Sequence, residues 1–236
     1  MSEHNELLSK LESGYLLPPF SITAAKLIEL AADETASLKA LSALIEKDPS
    51  LTVRVLKLAN SAFFRSLCPV TTVQQAIMRI GFHQLRLLAL SLSLRDAFPM
   101  GKAGKIIDYE RFWKTSLYRG LLAKGFASMF SACEPEEAFV AGLTLEIGLL
   151  IYCDIYIKTI NEEMDLDIHP LGSLLSLEKK RHGIHHREIG EIALKFWKFP
   201  DNIVMCQRYY YEQNSISEMP ELAKICCIAE KLSALI

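Results

Sequence analysis

The stretch Phe139-Val-Ala-Gly-Leu-Thr-Leu-Glu-Ile-Gly-Leu-Leu-Ile-Tyr-Cys153 decides the fold. Apolar residues recur at Phe139, Leu143, Ile147 and Ile151, and again at Ala141, Leu145 and Leu149, so a helix through it is apolar on most sides. Such a helix belongs at the centre of a core, and the spacing predicts one element from Glu134 to Tyr152. Glu146 interrupts the run and keeps it short of the roughly 18 uncharged residues of a membrane span.

Outward from this stretch the same three- and four-residue spacing persists, and no strand-length alternation is bounded by turn signals. The class is therefore all-α. Helices are predicted at Glu3–Glu12, Ser21–Ala32, Ser37–Lys47, Pro49–Ala59, from Thr71 or Thr72 to Gly81, and at His83–Arg95. Asp48-Pro49 is a clear start, because aspartate caps free amides and proline suits the first turn. Longer helices follow at Tyr109–Ser131, Glu134–Tyr152, Ser173–Arg181, His186–Trp197, Pro200–Glu212 and Met219–Leu235. Gly14 and Pro18-Pro19 set a helical extension (1–15) apart, and the Pro- and Gly-bearing stretch Phe98–Lys105 separates an N-terminal helical subdomain (16–98) from a larger one (106–236).

Half of the 236 residues are apolar, enough for a substantial core. The polar first residues lack the charged and apolar pattern of an export signal, so a soluble, cytoplasmic protein without membrane insertion is expected. The six cysteines are scattered without a CxxC pair and read as reduced, mostly buried thiols. Net charge is −2, yet residues 51–125 carry 12 Lys/Arg against 3 Asp/Glu. This basic segment suits intramolecular pairing or a protein partner better than nucleic acid, since no aromatic interleaving or helix-turn-helix signature accompanies it.

The order of motifs resembles HDOD domains, a bacterial branch related to the HD-type metal-dependent phosphohydrolases. The resemblance is carried by Leu17-Pro18, Lys47-Asp48-Pro49-Ser50-Leu51, Leu56 through Phe64 with Asn60-Ser61, Gln75-Ala76-Ile77 to Ile80-Gly81, Phe112-Trp113, Glu136 through Leu143, His186 to Gly190, and Trp197 to Pro200. Each motif is weak alone; the ordered set is specific and spans residues 16–236 as one HDOD domain with a compact, multi-helix HD-like fold.

In the catalytic relatives a helix His, a His-Asp doublet, later histidines and a final Asp hold metal ions that activate water. By the same alignment those positions fall here on Thr115, on Leu145-Glu146, on His186, on Tyr210 or Tyr211, and on Glu230, with Leu149 where a polar group follows the doublet. Leu145 offers no lone pair. The resemblance therefore implies a degenerate metal site, no catalytic residues, and no metal or other cofactor.

Buried Glu146 needs a partner. One reading gives it His186, with a Tyr210 or Tyr211 hydroxyl nearby, as a crosslink in place of the metal; the other gives it solvent or a nearby arginine. The H-x-x-H-H run His182, His185, His186 has ligand-like spacing, but Gly183 ends one helix before His185 or His186 opens the next, so capping and exposed roles are expected. Arg54, Lys57, Asn60, Ser61, Arg65, Arg79 and Arg86 form a possible partner surface.

The leading expectation is a non-catalytic regulatory module of bacterial signal transduction acting through contacts with signalling or regulatory proteins. The alternatives are a phosphohydrolase with an altered metal site (His186, Glu146, Glu230) and a nucleic-acid-binding regulator using residues 51–125. Neither the partner nor the oligomeric state is legible.

Overall fold

The computed structural model describes residues 3–14, 16–18, 22–32, 36–64, 68–98, 107–131, 133–156, 171–210 and 216–234. All regular elements among them are helical. They gather into two compact units, residues 19–97 and a larger one made of 1–18 and 98–236.

In the smaller unit, α2 (Ile22–Ala32), α3 (Leu38–Glu46), α4 (Pro49–Ala59), α5 (Val73–Ile80) and α6 (Phe82–Ala97) follow α1 (Glu3–Glu12), which belongs to the larger unit. The starts of α3, α4 and α5 have local causes. Ser37 accepts from the Ala40 amide at 3.1 Å, Asp48 from the Leu51 amide at 3.0 Å, and Thr72 and Gln75 close a capping box on α5. Gly81, at φ 95°, turns the chain from α5 into α6, a conformation that favours glycine. Leu41, Ile45, Leu51, Val55, Ile77, Leu85, Leu90 and Leu94 fill the core, each fully buried aliphatic side chain contributing about 1.5–3 kcal/mol.

The larger unit holds α1, α7 (Tyr109–Phe130), α8 (Pro135–Thr144), α9 (Ile147–Ile155), α10 (Leu171–His182), α11 (His186–Phe196), α12 (Asp201–Met205) and α13 (Glu221–Ser233). Two close backbone approaches set its geometry. A Cβ on Gly142 would lie 3.0 Å from the Arg119 carbonyl oxygen, so α8 lies tight against α7. A Cβ on Gly148 would overlap the His186 carbonyl oxygen and sit 2.6 Å from the Gly190 nitrogen, so α9 and α11 meet backbone to backbone. That second contact places His186 beneath Glu146.

The central helix predicted over Glu134–Tyr152 is two helices. It breaks at Leu145-Glu146, where Glu146 adopts φ −107°, ψ 16°, and the Thr144 carbonyl accepts from Gln207 Nε2 at 3.1 Å. By length and composition the whole stretch Pro135–Ile155 could cross a membrane, but 83% of its apolar window is buried inside the fold.

The helix predicted over Pro200–Glu212 stops at Met205; a single 3₁₀ turn, Cys206–Arg208, follows and Tyr209 is extended. Arg187 Nη1 draws the Cys206 and Tyr209 carbonyls toward it, at 3.5 Å each. Tyr209 and Tyr210 therefore do not sit on a helix, and Tyr211 lies outside the described residues.

Candidate functional site

The larger unit buries an ionic cluster around the doublet. His186, fully buried at the start of α11, has both ring nitrogens engaged: Nε2 lies 2.6 Å from Glu146 Oε2, and Nδ1 lies 2.9 and 2.8 Å from the two Glu178 carboxylate oxygens. The His186 amide also donates to Glu178 Oε2 at 2.8 Å. Carboxylates only accept, so both ring nitrogens carry hydrogen and His186 is an imidazolium. Burial alone would push its pKa down, but the Glu178 and Glu146 charges outweigh that and hold it up at about 9.

Arg187 is 1% exposed and fixes the other side of the doublet. Its Nε lies 2.8 Å from Glu146 Oε1, and its Nη2 donates to Glu230 Oε2 at 2.7 Å. The Nε contact is a close ion pair without hydrogen-bond alignment, as neither atom has a hydrogen-bond partner. Burial opposes ionisation of Glu146, yet Arg187 and His186 together bring its pKa down to about 2. Arg119 on α7 is also buried; its Nε donates to Ser233 Oγ at 3.3 Å, and desolvation lowers its pKa despite the pull of Glu146 and Glu230. Three carboxylates (Glu146, Glu178, Glu230) thus share one buried region with three cations (His186, Arg187, Arg119).

This arrangement does not fit a metal ion. Leu145 is fully buried with no donor atom, the imidazolium has no lone pair to give, and Glu146 already faces cations on both oxygens. Among the described residues no group of three or more His, Cys, Asp or Glu side chains is arranged to hold one.

The profile of the HDOD domain matches residues 17–213. The chain belongs to the HDOD family. Among solved structures, this HDOD chain is similar to a proposed phosphohydrolase from Shewanella amazonensis (26% identity, TM-score 0.69, covering 97% of this chain and 80% of that one). It is also similar to a proposed signal transduction protein from Marinobacter aquaeolei (26%, TM-score 0.74, 96% and 50%). An HDOD domain protein of unknown function from Geobacter sulfurreducens shares its fold (20%, TM-score 0.75, 98% and 79%). Among curated proteins it matches the uncharacterised YuxH of Bacillus subtilis, 27% identical over 146 residues that cover 62% of this chain. The chain spans about a third of the length of the curated relatives it matches, 35% and 32%.

Of the positions aligned with metal ligands, the HDOD fold brings together Glu146, His186 and Glu230. Leu145 is buried beside them in sequence without polar function. Thr115 is half-buried; it is Arg119, one turn further along α7, that the field of the cluster reaches. Tyr210 stacks edge-on against His185, with ring centroids 5.8 Å apart. The three histidines diverge: His182 Nδ1 meets the Tyr152 hydroxyl at 2.6 Å, His185 caps α11 in a capping box with Glu188, and His186 enters the cluster.

The partner surface expected in the smaller unit needs correction. Arg86 is 2% exposed, donates to the Leu30 carbonyl at 2.6 Å and lies over the Phe82 ring, so it is a core residue. Asn60 brackets the chain: Nδ2 donates to the Leu56 and Val70 carbonyls at 3.0 and 2.8 Å, and Oδ1 accepts from the Val70 amide at 2.8 Å. Arg79 reaches the Cys68 carbonyl at 2.5 Å, and Arg54 pairs with Asp96. The Ser61 hydroxyl is buried without a hydrogen-bond partner. Lys57 is exposed, and Arg65 lies outside the described residues.

Sequence reasoning missed Arg187, Glu178 and Arg119. A signal existed for two of them, which occupy apolar stripes, Arg187 with Gly190 and Leu194 and Glu178 with Leu174 and Leu175, whereas Arg119 lies between the small residues Ser116 and Ala123.

Proposed function

We propose that this HDOD chain is a non-catalytic, cytoplasmic regulatory module that transmits a bacterial signal through contacts with other proteins. One observation carries the reading: both nitrogens of His186, the matching ligand histidine, are committed to carboxylates beside a doublet whose first member is leucine. A hydrolase of the HD type needs a bound water activated by metal, and these side chains are already neutralised by one another. The family and the likeness to a proposed signal transduction protein support a regulatory role.

The likeness to a proposed phosphohydrolase favours a second reading, hydrolysis by an altered site of His186, Glu146 and Glu230. Elemental analysis of purified protein, with nucleotide and cyclic-dinucleotide hydrolysis assays, separates the two. The proposal expects substoichiometric metal and no turnover above background. Stoichiometric metal with turnover abolished in His186→Ala would replace it with the second reading.

A further inference from the structure

The outer face of the C-terminal half of α7 is largely uncharged where an exposed helix is normally polar. Between residues 120 and 131 the single charged side chain is Lys124, and it is engaged with Glu136 at 3.1 Å. Tyr118, Leu121, Gly125 and Met129 fall at steps of three, four and four, which places them on one stripe. The stripe is open: Leu121 is 50% and Met129 72% exposed, and Phe130 beside its end is 64% exposed. The neighbouring α13, which packs on α7, exposes Ile228 and Leu232 one turn apart.

Gly125 singles out the occupant. Its counterpart Gly120 has an internal reason, since a Cβ there would press on the Phe139 carbonyl at 2.9 Å. At Gly125 a Cβ would meet nothing within 4 Å, so no contact among the described residues requires glycine there. Glycine in an exposed helix interior costs about 1 kcal/mol relative to alanine. Close approach of a backbone from outside would account for it.

We propose that this face is an interface with a second copy of the chain, formed by antiparallel packing of α7 on its equivalent about a two-fold axis through Gly125. Leu121 and Met129 lie one turn before and one turn after Gly125, so the axis sets each Leu121 against the partner copy's Met129, and the smallest residue lies at the crossing. Lys124, the charged residue next to the axis in sequence, is paired with Glu136. The six exposed apolar side chains, at about 100 Å² apiece, give ~1,200 Å² for two copies, the lower edge of specific interfaces.

Sedimentation velocity and light scattering up to about 100 μM test this, with a Kd of about 1–10 μM expected for so small an interface. Gly125→Lys and Met129→Glu, both at exposed positions, should keep native circular dichroism and weaken dimerisation more than tenfold. In a Cys68→Ser/Cys133→Ser background, Gly125→Cys should form a covalent dimer on mild oxidation, because the axis brings the two Cα atoms within disulfide reach, and Lys114→Cys should not. A chain that stays monomeric overturns the proposal. So does a dimer indifferent to both charge substitutions, or one that Gly125→Cys fails to cross-link.

Discussion

Replacing Arg187 with methionine tests the cluster most sharply. The side chain keeps its bulk but leaves Glu146 Oε1 and Glu230 Oε2, now 2.8 and 2.7 Å from guanidinium nitrogens, without their guanidinium partner, and removes one donor from the Cys206 and Tyr209 carbonyls. Breaking a buried ion pair by removing one partner costs about 3–5 kcal/mol, because the surviving charge stays desolvated. For a chain of this size each kcal/mol shifts Tm by about 2–4 °C, so a fall of ~6–20 °C is expected. Replacing whole buried ion sets with apolar groups is often neutral, so Arg187→Met/Glu230→Leu should recover part of the loss. Both tryptophans, Trp113 and Trp197, are buried in the larger unit, so their fluorescence during urea unfolding reads that unit directly. An Arg187→Met protein within about 2 °C of the parent would refute the claim that this network holds the unit together.

Stability should also depend on pH through His186. Its folded pKa, about 9, lies above its ordinary value, so its contribution is complete below about pH 6.5 and is lost as pH rises through 9. Urea unfolding between pH 6.5 and 9.5 should show a slope approaching ~1.4 kcal/mol per unit that His186→Asn removes; an unchanged slope in the variant contradicts the assignment. Glu146, held low, adds stability that disappears as pH falls from its ordinary range toward 2, so acid unfolding of Glu146→Gln should be shallower. Gly148→Ala should cost ~3 kcal/mol or more, since its Cβ overlaps the His186 carbonyl; a soluble variant of parental Tm would show that α9 and α11 can part freely. Asn60→Ala removes three hydrogen bonds to the chain and should cost about 2–3 kcal/mol, with faster hydrogen exchange at the Val70 amide as the local readout.

Helix starts are legible in this sequence where their causes are local: Ser37, Asp48 and Thr72 bond amides three residues ahead. The break at Leu145-Glu146 is not, since apolar periodicity runs through it undisturbed and the interruption comes from Gln207 and from His186 beneath Gly148. Tyr209 misleads in the same way: a tertiary demand from Arg187 ends a helix that local propensity would extend. Within the site, the Glu146–His186 bond follows from burial of a carboxylate near the histidine that aligns with a ligand position of the catalytic relatives, and the arginine alternative is met at the same time by Arg187. Arg187, Glu178 and Arg119 escape because charged residues are read as surface, and Arg86 is assigned to a partner surface for the same reason.

If the buried cluster stands in place of a metal, as proposed, divalent ions should find no site in this chain. Thermal unfolding with and without millimolar Mn²⁺, Mg²⁺ or Zn²⁺ measures this directly, since a site filled at 100 times its Kd adds about 2.7 kcal/mol, or ~5–10 °C. The Tm should be unchanged by all three ions. A saturable rise of that size, abolished by His186→Ala, would contradict it.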